Sequence, residues 1–416
     1  MIVIVGAGVA GLSAAAALRD MGYGGRVRVL GGEPATPYER PALSKEYLCD
    51  PTLGDPPSLA SLAALHARDI RLDLGVEVLS IERQRQALLT TEGEEVGYEE
   101  LLLATGAEPR RLALRGDTLA GVHYLRDLED ARELRAALIK SRNVVIVGGG
   151  VIGLEVAASA IQRGCRVTML EAAPRVMGRI VPERFAGMLE EAHRAHGVDV
   201  RTNTGPAAFR GSGGRIREVV ITSGAAVPAD VVVVGIGVKP RTLLAEGSGL
   251  DVNDGVVVDA AFRTCDRHIF AAGDVARVFH GAAGQFVRIE QWEPAREQGR
   301  QAAASMLGGE ISYRETPWMW SDQYDVHIQA TGLGKGTVEV VRGTSLHERG
   351  GISYFCITDG RLVSACGASV GTSVARVIRA AHKLIERGAE VTVNQLADPS
   401  VDLHRLARAA GSLSGT

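Results

Sequence analysis

The sequence predicts an α/β fold: two Rossmann-like dinucleotide-binding domains (three-layer ββα/βα), followed by a C-terminal α+β domain. Two observations predict the Rossmann pair. Met1-Ile-Val-Ile-Val-Gly6-Ala-Gly8-Val-Ala-Gly11 and Asn143-Val-Val-Ile-Val-Gly148-Gly-Gly150-Val-Ile-Gly153 each run a short apolar strand into G-x-G-x-x-G and then a helix-forming stretch. In that context the first glycine makes a tight turn, the second admits a pyrophosphate and the third lets helix and strand pack closely. The helix N-terminus adds unpaired N–H groups and partial positive charge for the phosphates. The third observation is a change of pattern near Pro317, where short strands and then a helix replace the strand–helix alternation. Two dinucleotide sites in one chain imply electron transfer between the bound groups.

The elements follow in order. The first βαβ unit covers about Met1 to Leu30, and a Gly/Pro-rich loop runs from Gly31 to Pro41. A helix is predicted over Ser58–Ala67, then short strands ending at Glu100-Leu-Leu-Leu-Ala104-Thr105-Gly106. Helix Asp127–Ile139 leads into the second unit, which passes through Arg166-Val-Thr-Met-Leu-Glu171 to Val231-Val-Val-Val-Gly235-Ile-Gly237. The chain then returns to first-domain material at about Pro240, with strand Ile269-Phe-Ala-Ala, the Gly273-Asp274 turn and helix Pro294–Met306. In the tail, strands are predicted at Val326–Thr331, Val338–Arg342, Ile352–Ile357 and Leu362–Ala368, and a helix at Ser373–Arg387. The expected domains are therefore 1–110 with 240–316, 111–239, and 317–416.

Composition narrows the function. The chain has 416 residues, 46% hydrophobic and 23% charged, as in a globular protein of two or three domains. A net charge of −3 gives no overall basic field for nucleic acid or an anionic membrane. No apolar run is long enough to span a bilayer. The first strand begins at Ile2, leaving no room for a leader, so the expected location is cytoplasmic. The five cysteines (Cys49, Cys165, Cys265, Cys356, Cys366) are scattered without C-x-x-C, and the ten histidines show no metal-ligand spacing. Neither a dithiol relay nor a metal or iron–sulfur site is expected.

An acid about 20 residues past the glycines binds adenosine ribose hydroxyls. Glu171 holds that place in the second unit and favours NADH, because a carboxylate repels the 2′-phosphate of NADPH; Arg175 stands nearby. The first unit reads Leu30-Gly31-Gly32-Glu33, so its only nearby acid comes late. Glu33 is either a ribose ligand or a solvated loop residue.

Four segments in order, Pro37-Tyr-Glu-Arg40-Pro-Ala-Leu-Ser-Lys45, Ala104-Thr-Gly-Ala-Glu-Pro109, Phe270-Ala-Ala-Gly-Asp274 and Pro317-Trp-Met-Trp-Ser-Asp-Gln-Tyr324, carry a resemblance. Over essentially its whole length the chain resembles the FAD-dependent ferredoxin reductases of bacterial oxygenase systems, within the wider glutathione-reductase-like fold. The resemblance implies FAD contacts at Gly8, Ala10, Gly11, Lys45, Val78, Arg126, Asp274 and Trp292; Gly6, Glu33, Arg40, Ala104, Thr105, Gly106, Gly273 and Glu290 are further candidate cofactor-binding residues. It implies NADH contacts at Gly150, Ile152, Glu155, Glu171 and Gly237, and the glycine motif adds Gly148 and Gly153 as candidates. Lys45 is expected near flavin N5 with Glu155 as its partner, because a buried Lys requires one. Their alternative is a surface loop Lys and a first-turn Glu complementing the helix dipole. Glu290 stands either near the nicotinamide or in a plain salt bridge. Trp320 is expected to cover the isoalloxazine edge, and Trp318 to pack. Two departures from the family pattern are Gly32, where the family commonly has an acid for the FAD ribose, and Pro41-Ala42, where it reads Pro-Pro.

The implied reaction is hydride transfer from NADH to FAD, then single electrons to a separate [2Fe–2S] ferredoxin serving a Rieske dioxygenase or a cytochrome P450. Arg296 and Arg300, on one helical face, are either a landing patch for that acidic partner or a solvated face. Rival readings change the acceptor to rubredoxin or monodehydroascorbate, make Cys49 the thiol of an NADH oxidase or coenzyme A disulfide reductase, or make the chain a redox-gated interaction protein resembling apoptosis-inducing factor.

Overall fold

The computed structural model describes every residue except Ser141, Arg179, Lys335, Thr372, Ser373 and 413–416. It divides into two compact units. The first comprises Met1–Arg40, Pro56–Glu108 and Val238–Glu315; the second comprises Pro41–Asp55, Pro109–Gly237 and Thr316–Thr416.

The first unit is built on a five-stranded parallel sheet in the order Ile269–Ala271, Glu100–Leu103, Ile2–Val5, Val27–Gly31, Ile70–Leu74. Strand Ile2–Val5 is buried throughout, as a β-branched run with both sheet faces covered should be. Two three-stranded sheets flank it in sequence, Val78–Glu82 with Ala87–Thr90 and Glu95–Gly97, and Val256–Val258 with Ala276–His280 and Gln285–Val287. Helices Val9–Asp20 and Trp292–Met306 approach closely. A Cβ on Gly299 would lie 2.1 Å from the Ala10 carbonyl oxygen. The second of these helices starts before the predicted Pro294, which sits in the first turn where its missing N–H costs nothing. The helix predicted from Ser58 spans only Leu62–Ala67, because the Ser61 hydroxyl caps it by accepting from the Ala64 N–H at 3.1 Å.

The second unit repeats the design. Its parallel sheet runs Asp199–Arg201, Arg166–Leu170, Asn143–Val147, Val231–Val234, Val122–Tyr124. A five-stranded antiparallel sheet follows, in the order Trp318–Gln323, Val326–Gly332, Arg361–Val370, Ile352–Thr358, Val338–Arg342. The predicted tail strands all form; Trp318–Gln323 adds an edge strand. The helix predicted from Ser373 is described from Val374 to Glu386, and Ser373 lies outside the described residues. One apolar core joins both sheets of this unit: Val144, Ile146, Leu154 and Phe185 cluster with Ile328, Tyr354 and Ala368. Leu48, from the Pro41–Asp55 stretch, is fully buried in the same cluster. Among the described residues, no helix is long and apolar enough to cross a membrane.

Candidate active site

The two glycine loops are near copies. Gly6 has φ +116° and Gly148 φ +107°, a region that L side chains rarely adopt. A Cβ there would lie 2.1 Å from Ala104 O and 2.3 Å from Gly235 O respectively. Gly11 and Gly153 let helix and loop touch: a Cβ on either would fall 1.9 or 2.0 Å from the carbonyl oxygen of Gly6 or Gly148. Gly8 and Gly150 behave differently. A Cβ on either meets no protein atom within 4 Å, and each caps its helix without a side-chain hydrogen bond. Open space faced by helix N–H groups is the shape and polarity that a pyrophosphate fills. Both loops fit a dinucleotide.

In the first unit, Ala104, Thr105 and Gly106 follow the strand beside the loop, and Thr105 donates to Arg241 O at 2.9 Å. Gly273 (φ +80°) faces Ala10: a Cβ on it would lie 3.0 Å from the Ala10 Cβ. Gln298, wholly buried, accepts from the Gly273 N–H at 2.9 Å and so fixes the turn that carries Asp274. Val78 opens a strand and Trp292 opens the last helix of the unit. Glu33 pairs with Arg40 and accepts from the Tyr38 hydroxyl at 2.6 Å. Glu290 forms a salt bridge to Arg288 at 2.5 Å. Arg296 and Arg300 are exposed on their helix, but each is paired one turn back, with Glu293 at 2.5 Å and Glu297 at 2.7 Å, so the face is mixed in charge.

In the second unit, Lys45 and Glu155 are buried, and Lys45 Nζ stands 3.7 Å from Glu155 Oε1. The surface-loop alternative does not hold. Ser44 donates to Glu155 Oε2, and Ser321 donates to Oε1 at 2.7 Å. Burial pushes the Glu155 carboxyl up, against the pull of Lys45 and the two hydroxyls. Trp320 lies with its ring centroid 5.4 Å from Lys45 Nζ, and Trp318 stacks on Trp320 at 5.4 Å. Ser159 fixes the loop backbone by donating to Ser44 O at 2.9 Å.

The polar cluster extends inward. Gln323 Nε2 donates to Ser321 Oγ at 3.1 Å, His193 Nε2 meets Gln323 Oε1 at 2.9 Å, and Tyr324 hydroxyl meets His193 Nδ1 at 3.0 Å. Burial pulls the His193 imidazole down to about 4, so it is neutral at pH 7. Sequence reasoning missed this chain of contacts. Ser44, Ser321 and Gln323 stood inside the four segments that carry the resemblance; His193, on a separate helix, gave no signal.

Glu171 follows its strand with one carboxylate oxygen on the glycine loop and the other on the turn beyond. Oε2 accepts from Gly149 N–H at 2.6 Å and Oε1 from Ala173 N–H at 2.7 Å. A carboxylate has about four lone-pair sites, so capacity for ribose hydroxyls remains. Arg175 is paired with Glu183 at 3.1 Å. Ile152 is exposed on the first helical turn, Gly237 adopts φ +99°, and the Arg126 N–H donates to Asp130 at 2.9 Å. Cys49 donates to Gln162 Oε1 at 3.0 Å, and burial pushes its thiol up, away from the reactive thiolate.

Two dinucleotide cradles and a buried lysine–carboxylate pair define an oxidoreductase that moves electrons between a nicotinamide and a flavin. Similarity to known proteins makes the class particular. The family model for pyridine nucleotide-disulphide oxidoreductases matches residues 1–299, and the reductase C-terminal model matches 318–407. The chain belongs to the pyridine nucleotide-disulphide oxidoreductase family, and it is an enzyme using FAD and NAD(H). It is 43% identical to the anthranilate 1,2-dioxygenase system ferredoxin–NAD(+) reductase component of Burkholderia cepacia, over 96% of this chain and 98% of that one. It is 42% identical to a rubredoxin–NAD(+) reductase of Pseudomonas putida, over 80% and 87%. The solved covalent putidaredoxin reductase–putidaredoxin complex matches with a TM-score of 0.93 at 35% identity, covering 99% of both chains.

Proposed function

We propose that the protein is an NADH-dependent ferredoxin reductase located in the cytoplasm, passing electrons to a separate [2Fe–2S] ferredoxin that feeds a Rieske dioxygenase or a cytochrome P450. One observation carries the reading: the loop at residue 45 offers a serine and a lysine locked to a buried carboxylate, where a dithiol reductase needs a cysteine pair. The lone nearby thiol, Cys49, is held protonated. When bound, FAD accepts a hydride from NADH and can return its electrons one at a time.

The protein's task is then positioning and electrostatics. Gly6, Gly8, Ala10 and Gly11 cradle FAD, with Val78, Ala104, Thr105, Gly106, Gly273, Asp274 and Trp292 lining its site. Arg40 and Arg126 belong to the same site. Gly148, Gly150, Ile152, Gly153, Glu171 and Gly237 hold NADH. Lys45 offers a fixed positive charge to the reacting end of the flavin, Glu155 holds Lys45 in place, and Trp320 shields that end. Glu171 selects NADH over NADPH. A rubredoxin acceptor is the second reading, favoured by the similarity to rubredoxin reductase; it keeps the flavin chemistry and changes only the partner.

Arg296 and Arg300 are the proposed docking points for the acidic ferredoxin, each more than half exposed. Reversing both charges should lower kcat/KM for ferredoxin about 10-fold and leave ferricyanide reduction intact. Equal losses with both acceptors would remove them from docking.

A further inference from the structure

The internal repeat exposes a missing carboxylate. Gly6 N–H donates to Leu30 O and Gly148 N–H to Leu170 O, both at 2.8 Å, so Gly31 is the structural counterpart of Glu171. The first unit has no side chain at that place, and one would crowd the loop: a Cβ on Gly31 would lie 2.9 Å from the Ala7 Cβ. Gly32 follows with none either. Glu33, the next acid, is occupied by Arg40 and Tyr38.

A different acid reaches the gap. Strand Ile70–Leu74 runs parallel to Val27–Gly31 and ends in register with it, Leu74 opposite Gly31. The turn beyond it is tied back by Gly75 N–H to Glu33 O at 3.1 Å and Val76 N–H to Gly31 O at 3.0 Å. Thr91 N–H donates to Glu77 O at 2.8 Å from the other side. The Glu77 side chain is thereby laid against Gly32: a Cβ on Gly32 would lie 3.2 Å from Glu77 Cγ and 3.5 Å from Glu77 Oε1. The Glu77 residue is exposed, and no hydrogen bond or ion pair engages its carboxylate among the described residues. A side chain at position 32 and the Glu77 side chain compete for one space; this sequence keeps the glycine and the glutamate.

We infer that Glu77 is the carboxylate that receives the adenosine ribose hydroxyls of the dinucleotide in the first unit, as Glu171 does in the second. Glu77 comes from the neighbouring strand's turn instead of the strand end. The inference rests on the reading that the first unit takes FAD.

The test is FAD binding to protein stripped of flavin, followed by flavin fluorescence, with FAD and its 2′,3′-dideoxyadenosine analogue as probes. The wild type should prefer FAD about 10- to 100-fold, the range of hydrogen bonds to a charged group. Glu77→Ala should bring FAD down to the analogue's affinity, Glu77→Gln, which keeps a neutral acceptor, should leave an intermediate preference, and both should leave the analogue unchanged. Adding Gly32→Asp to Glu77→Ala, which vacates the space, should restore the preference. A Glu77→Ala protein that keeps the wild-type preference would overturn the inference, as would equal losses for both probes. A wild type that binds neither probe would instead sink the FAD reading itself.

Discussion

Lys45 and Glu155 show what a buried charge requires. Neither side chain is more than a tenth exposed, and Glu155 is surrounded by three donors, Lys45, Ser44 and Ser321. Removing the carboxylate leaves an ammonium in a site shaped for an ion pair, which typically costs about 3–5 kcal/mol. Glu155→Ala should lose stability of that order in urea denaturation, and its NADH-driven flavin bleaching should slow. A loss below about 1 kcal/mol with normal bleaching would mean that the pair is incidental. Glu171→Arg should raise the NADPH to NADH ratio of kcat/KM at least about 10-fold, since attraction to the 2′-phosphate replaces repulsion. An unchanged ratio would take Glu171 off the ribose.

At the scale of elements, the first helix is fixed from two sides. Its Ala10 meets Gly299 of the last helix of the first unit and Gly273 of the turn before Asp274. Gly299→Ala would drive a methyl into the Ala10 carbonyl and should cost about 1–3 kcal/mol, with FAD retained less tightly. Full stability and full flavin content on purification would show that the helices part without consequence. The parallel strands were legible in the sequence because runs such as Ile2–Val5 and Val231–Val234 are apolar at every position, and the glycines after two of them fix the turn. The helix start at Leu62 and the edge strand Trp318–Gln323 were not, since a capping serine and a pairing partner decide them. The site shows the same division. Lys45 could be paired with Glu155 by the need for a counter-charge. Gln298 beneath Gly273 and His193 behind Gln323 depend on tertiary contacts that no spacing encodes.

Across the whole molecule, the sequence carries one dinucleotide design twice, with different ends. Both copies have the positive-φ first glycine and the open second glycine. They differ at the residue after the second strand's last leucine, where one presents Glu171 and the other Gly31. They differ also in their additions: the second unit carries the antiparallel sheet whose first strand brings Ser321 and Trp320 to the Lys45–Glu155 pair. Lys45 of that pair lies in a loop that carries no cysteine pair, with Cys49 the lone thiol nearby. Electrons are therefore predicted to leave the flavin singly, without a thiol. The direct measurement is anaerobic stopped-flow: the protein bleached with NADH is mixed with an oxidised [2Fe–2S] ferredoxin, and in parallel with coenzyme A disulfide. Rapid ferredoxin reduction, unaltered in a Cys49→Ser variant, with no disulfide turnover, is the result predicted. Fast disulfide reduction that Cys49→Ser abolishes, with an inert ferredoxin, would contradict it.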